Sequence, residues 1–141
     1  MGLVQVLHVE DDTIQRALVA HYLTGPSDHS YVLTGVESEN EAVETFQRGG
    51  FDLVILDYQL SQGNGLDCLR RLRRLDSLVP VIALSGIATS TIAGELIEAG
   101  ADDYLSKKSM DKHTLTHSIG AALARAHGVR AEADAIASRR K

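Results

Sequence analysis

Two near-continuously apolar runs in this 141-residue chain each stop at a carboxylate. The run from Leu3 to Val9 is followed at once by Glu10, Asp11 and Asp12, and the run from Phe51 closes on Asp57. Two further runs end in residues of useful type: Val79 to Leu84 leads into Ser85 and Gly86, and Asp103 to Ser106 leads into Lys107. If the runs are strands of one parallel sheet, all these groups emerge on the same edge, where open α/β sheets bind ligands. Several carboxylates crowded there repel each other unless a cation or protons intervene, which points to a divalent metal. Magnesium suits such a set, because it takes oxygen ligands at about 2.0–2.1 Å and usually keeps several waters. A carboxylate nucleophile, acidic metal ligands, a hydroxyl and an ammonium are together the groups needed to move a phosphoryl onto an aspartate. Lysine acts there as a mobile point charge, and Ser85 with a backbone N–H near Gly86 can hold another phosphoryl oxygen.

The elements that must position these groups follow from periodicity. Strand-like runs near 3–9, 31–36, 52–57, 80–85 and 102–106 alternate with helix-period stretches near 12–23, 38–48, 64–75, 89–99 and 111–127. Asp12 can cap the first helix, and Ser38 with Glu41 matches a capping box. The segments Thr24 to Asp28 and Arg48 to Gly50 carry helix-stop and turn signals. Right-handed crossovers then predict an α/β three-layer sandwich, flavodoxin-like, with a five-stranded parallel sheet in the order 2-1-3-4-5.

With all its motifs in order over about residues 3–127, the chain resembles a response-regulator receiver domain of two-component signalling, similar to the chemotaxis regulator. The resemblance implies Asp57 as the phospho-accepting residue, Ser85 and Lys107 as its helpers, and Ser85 with Tyr104 as the switch pair. It implies a Mg²⁺ site made by Asp11 and Asp57, with Glu10 through water and the main-chain carbonyl of Gln59. The implied partners are a histidine kinase or His-phosphotransfer protein as donor and a downstream output protein as reader. Such a protein catalyses only its own phosphoryl transfer and autodephosphorylation. A receiver that docks or dimerises without phosphorylation is the alternative.

The chain departs from the family pattern in the loops. Lys108 stands where the family usually has proline, and a cis bond before a non-proline residue costs about 2.5–4 kcal/mol, so a trans Lys107–Lys108 bond is expected. Ser61 replaces another usual proline, and Gly63, Asn64 and Gly65 predict an unusually flexible loop after Asp57. Gln59 stands where the family places a side chain that can influence attacking water. Two rivals fit less well. A dehalogenase-type aspartyl-phosphate hydrolase needs a second acid where Gln59 stands. A flavodoxin-like flavin carrier needs a hydroxyl- and glycine-rich phosphate loop where Glu10 to Asp12 would repel an anion.

Composition narrows the setting. A net charge of −5 and a pI of about 5.6 argue against a nucleic-acid surface. A single cysteine, Cys68, suits a reducing cytoplasm and excludes an internal disulfide. No apolar run approaches the roughly 18 residues of a membrane span. The six histidines are read as showing no metal-ligand spacing. The receiver is expected over residues 1–127 and a helical or frayed tail over 128–141, with early acids and late Arg139, Arg140 and Lys141. Leu115, Ile119, Ala122, Ala126, Val129, Ala133 and Ile136 form a heptad-like seam. Either its first three residues face the sheet and the rest frays at Gly128, or the helix continues toward a second copy or a downstream domain. A free-standing regulator, a phosphorelay shuttle and a receiver from a longer protein all fit.

Overall fold

The computed structural model describes residues 2–139 other than Pro26 and Ala88. Pro26 in the expected turn and the basic end at Arg140 and Lys141 lie outside the described residues. Ten elements alternate along the chain: β1 (Leu3–Val9), α1 (Thr13–Tyr22), β2 (Ser30–Val36), α2 (Glu39–Gln47), β3 (Leu53–Asp57), α3 (Gly65–Leu75), β4 (Val81–Ser85), α4 (Ser90–Glu98), β5 (Asp103–Ser106) and α5 (Lys112–Arg139). The strands form one parallel sheet in the order β2-β1-β3-β4-β5, the flavodoxin-like topology expected.

Period-two alternation explains the layering, because successive strand residues point to opposite faces. Leu7, Val9, Val54, Leu56, Val81 and Ala83 pack on one face with buried residues of α2, α3 and α4, including Phe46, Leu69 and Leu96. Val4, Val6, Leu53, Ile55, Ile82 and Leu84 pack on the other with Val19 of α1 and Leu115, Ile119 and Ala122 of α5. The bodies of β3 and β4 are therefore apolar up to the polar residues that end them, Asp57 and Ser85, as both-face burial requires. Register then aligns the polar ends: Val9 lies beside Leu56, Asp57 beside Leu84, and Ser85 beside Ser106. One residue further along, Glu10 and Lys107 flank the same edge.

The caps hold with one difference. Asp12 accepts from the amides of Ile14 and Gln15 at 2.8 and 3.4 Å, and Ser38 accepts from the Glu41 amide at 3.1 Å. The Glu41 carboxylate, however, takes the amide of Glu37 at 2.8 Å, one residue beyond the cap. Helix α5 runs unbroken through Gly128 to Arg139. Arg130 donates to both Asp76 oxygens at 3.3 and 3.1 Å, tying the helix to the turn after α3 just beyond the glycine. Beyond it Val129 and Ile136 face solvent. A Cβ at Gly128 would meet nothing within 4 Å. Gly128→Ala is therefore expected to stabilise the protein by about 1 kcal/mol, read as a higher urea midpoint at unchanged slope.

Candidate functional site

At the carboxyl edge of the sheet Glu10 and Asp57 are almost fully buried, 1% and 3% exposed, and Asp11 is half-buried beside them. One carboxylate oxygen from each lies within 4.8 Å of the others. Lys107 reaches in from the end of β5, its Nζ 2.7 Å from Glu10 Oε1 and 3.2 Å from Asp57 Oδ1. Its position is set by its own amide, which donates to the Ser85 carbonyl at 2.8 Å. No cis peptide occurs among the described residues, so the Lys107–Lys108 bond is trans as expected.

Local geometry assigns each carboxylate oxygen. The Gln59 amide donates to Asp57 Oδ1 at 3.2 Å, the same oxygen that Lys107 touches, which leaves Oδ2 engaged by neither. The Ser61 amide donates to Asp11 Oδ2 at 2.8 Å. Arg16 donates to the Glu10 carbonyl at 2.7 Å and to Glu37 at 3.3 Å, fixing the main chain between Val9 and Asp11.

The electrostatics are those of a site short of positive charge. Burial pushes the Glu10 carboxyl up to about 7, and the neighbouring Asp57 adds to this against the pull of Lys107. Burial works to lower the Lys107 ammonium, but Glu10 and Asp57 outweigh it and hold its pKa above the usual value. The hydrogen bond from Ser61 holds Asp11 below the ordinary carboxylate range. Oxygen-only donors converging from three acids, one of them inclined to bind a proton at neutral pH, fit a hard dication such as Mg²⁺.

His8, one strand residue before Val9, is buried and its Nε2 has no hydrogen-bond partner among the described residues. Burial, aided by Lys107 and Arg16, lowers its pKa from 6.5 to about 4. Between those values the unfolded chain binds a proton that the native chain refuses, so stability falls as pH drops through that window. The loss should reach up to about 3 kcal/mol near pH 4. Comparing urea midpoints of the native protein and His8→Leu from neutral pH down to about 4 checks this, since the variant lacks that slope.

Ser85 is fully buried, and its hydroxyl is folded onto the next turn: Oγ donates to the Ile87 carbonyl at 3.1 Å and accepts the Ile87 amide at 3.0 Å. The Tyr104 hydroxyl donates to that same Ile87 carbonyl at 2.9 Å. The two residues read as a switch pair thus share one acceptor, a link that sequence spacing does not reveal. The Gln59 side chain is exposed and reaches toward Gly86, so that a Cβ there would lie 4.0 Å from its Oε1.

The loop after Asp57, whose glycines predict flexibility, is tied at several points in this structure. Besides the Ser61–Asp11 contact, the Gly65 amide donates to the Tyr58 carbonyl at 3.2 Å and the Asn64 amide donates to Glu39 at 3.0 Å, so both ends are held. His113 and His117, one helical turn apart on α5, stack at 6.1 Å, a chelating spacing that the sequence reading passed over. Only Glu10, Asp11 and Asp57 bring three donor atoms together among the described residues. A cleft of about 660 Å³ lies at the opposite edge of the sheet against α5 and shares no residue with the acidic site.

A doubly wound parallel sheet with buried acids and a lysine at its carboxyl edge defines a receiver-type signalling domain. The family model for the response regulator receiver domain matches residues 6–120, and the chain belongs to that family. It is 34% identical over 128 residues to the uncharacterized transcriptional regulatory protein YcbL of Bacillus subtilis, covering 91% of this chain and 54% of that one. Two other curated relatives are matched over only 29% and 40% of their length. Among solved structures, the signal receiver domain assigned to a Luxo repressor protein of Vibrio parahaemolyticus superposes with a TM-score of 0.78 at 31% identity. That match covers 88% of this chain and 92% of the other. The receiver domain of sensor histidine kinase PA1611 of Pseudomonas aeruginosa gives 0.75 at 25% identity, covering 86% and 98%. That structure is described with magnesium coordinated in its active-site cleft.

Proposed function

We propose that this chain accepts a phosphoryl group on Asp57 from a phosphohistidine of a histidine kinase or His-phosphotransfer protein, and that the event changes a face read by an output protein. The observation that carries the reading is the buried Asp57 carboxylate, with one oxygen held by Lys107 and the Gln59 amide, beside Glu10 and Asp11. Asp11 and Asp57, with Glu10 and the Gln59 carbonyl, would hold a Mg²⁺ ion, which would supply charge to neutralise the transferring phosphoryl oxygens. Asp57 Oδ2 is the attacking oxygen, because Lys107 and the Gln59 amide orient the carboxylate through Oδ1. The P–N bond to the donor imidazole breaks as the O–P bond forms. Lys107 already sits beside Asp57 and follows the new charge with its flexible stem.

Ser85 then trades the Ile87 amide and carbonyl for a phosphoryl oxygen, and Tyr104 loses the partner with which it shared that carbonyl. This is a population shift set off by one local charge event. The protein turns over only its own phosphoryl group, and it does so in the cytoplasm, where kinases and nucleotide are found. Among the described residues no helix is long and apolar enough to cross a membrane. Val129 and Ile136, exposed on the end of α5, support a second copy of the chain as a further partner. Light scattering with and without residues 128–141 tests this, and an unchanged monomer mass would sink it.

Phosphoryl uptake from acetyl phosphate should require Mg²⁺ and stop when it is chelated. Asp11→Asn should raise the Mg²⁺ requirement at least about tenfold, the loss typical even of an outer-shell partner of a metal site. Uptake indifferent to Mg²⁺ would contradict the assignment of the acidic cluster.

A further inference from the structure

The loop from Tyr58 to Asn64 carries the Gln59 carbonyl and the Ser61 amide that holds Asp11, yet nothing in its composition stiffens it. Gly63 has φ of +91° and Ser61 lacks a proline's restriction. Its far end is held from another helix. Glu39, at the first turn of α2, accepts the Asn64 amide on Oε1 at 3.0 Å, and its Oε2 lies 2.9 Å from Arg71 of α3. The Glu39 amide donates to the Gln62 carbonyl at 3.4 Å. A Cβ on Gly63 would come within 2.6 Å of the Glu39 Cβ, so the glycine is what permits this close approach. Asn64 in turn caps α3 through its side chain, accepting from Leu66 and Asp67 at 2.8 and 3.3 Å.

The Glu39 carboxylate is only 15% exposed, compensated by Arg71 and favoured by the positive end of α2. It therefore has a defined position and transmits it to the loop. We propose that Glu39 is a positioning residue for the metal and phosphoryl site: it clamps the far end of the loop so that the Gln59 carbonyl and the Ser61-bound Asp11 are preset for the ion. The inference rests on the receiver reading above. Glu39 touches neither the reacting carboxylate nor Lys107, and it acts by removing the ordering cost that a free glycine-containing loop would impose on metal binding.

The test is a calorimetric Mg²⁺ titration of the full chain, paired with amide hydrogen exchange of residues 58–64 without metal. Glu39→Ala is expected to weaken Mg²⁺ binding about tenfold, as loss of an outer-shell support does, and to speed exchange at Asn64. Glu39→Gln keeps an oxygen for the Asn64 amide and should recover most of the affinity. Glu41→Ala is the structural control, because Glu41 supports the same turn of α2 through the Glu37 amide without touching the loop. Native affinity and native exchange in Glu39→Ala would overturn the inference while leaving the receiver reading intact. An equal loss in Glu41→Ala would overturn it as well, reducing it to general damage of α2. Failure of the native protein to bind Mg²⁺ at all would sink the phosphoryl-accepting reading, and this inference with it.

Discussion

Lys107→Met is expected to destabilise the metal-free protein by about 3 kcal/mol, at the low end of what breaking a buried ion pair costs. The ammonium is the cation that reaches both Glu10 and Asp57, which are almost wholly shielded from water. Without it, two carboxylates face each other in a low-dielectric edge. The cost stays near the low end because Glu10, already pushed up to about 7, sheds its charge by taking up a proton. The same relief makes the variant's stability pH-dependent. A group whose native pKa is raised binds protons more readily when folded, so stability is gained as pH falls through that value and lost as it rises. Thermal or urea unfolding of Lys107→Met from about pH 5 to 8 should show a loss toward alkaline pH that exceeds the native protein's, and saturating Mg²⁺ should return part of it. A variant with native stability at every pH would mean that Glu10 and Asp57 are compensated by something other than Lys107.

The second large effect is expected at Gly65, the first residue of α3. A Cβ there would lie 2.4 Å from the Asp57 carbonyl oxygen and 2.6 Å from both Cα and O of Tyr58, all backbone atoms that no rotamer change can move. Gly65→Ala should therefore cost at least about 3 kcal/mol, the upper end of ordinary overpacking. It should also displace the turn that carries Asp57 and the Gln59 amide. Read together with Gly128→Ala, which meets open space, it separates a glycine required by close approach from one that is merely tolerated. Urea unfolding of both variants checks the pair. Equal stabilities would contradict the backbone packing described at the start of α3.

Much of this fold was legible because burial on both faces of a parallel sheet writes itself as apolar runs. The residues that end those runs, Glu10, Asp57, Ser85 and Lys107, are brought to one edge by register alone. What was not legible is tertiary. The loop from Tyr58 to Asn64 reads as flexible from Gly63 and Ser61, since local propensity contains no trace of a carboxylate on α2 that holds its far end. Gly128 reads as a weak point in a helix, yet a cost of about 1 kcal/mol does not end it, with alanines on either side and the Arg130–Asp76 contact following. Spacing also cannot show that Ser85 and Tyr104 share the Ile87 carbonyl, because that depends on how the turn after β4 folds back.

Phosphoryl acceptance on Asp57 is read from intact mass after incubation with Mg²⁺ and acetyl phosphate, run beside Asp57→Asn. One phosphoryl group gained by the native protein and none by the variant is the result predicted here. No gain in the native protein, with Mg²⁺ binding also absent, would contradict it and leave a receiver that signals by docking alone.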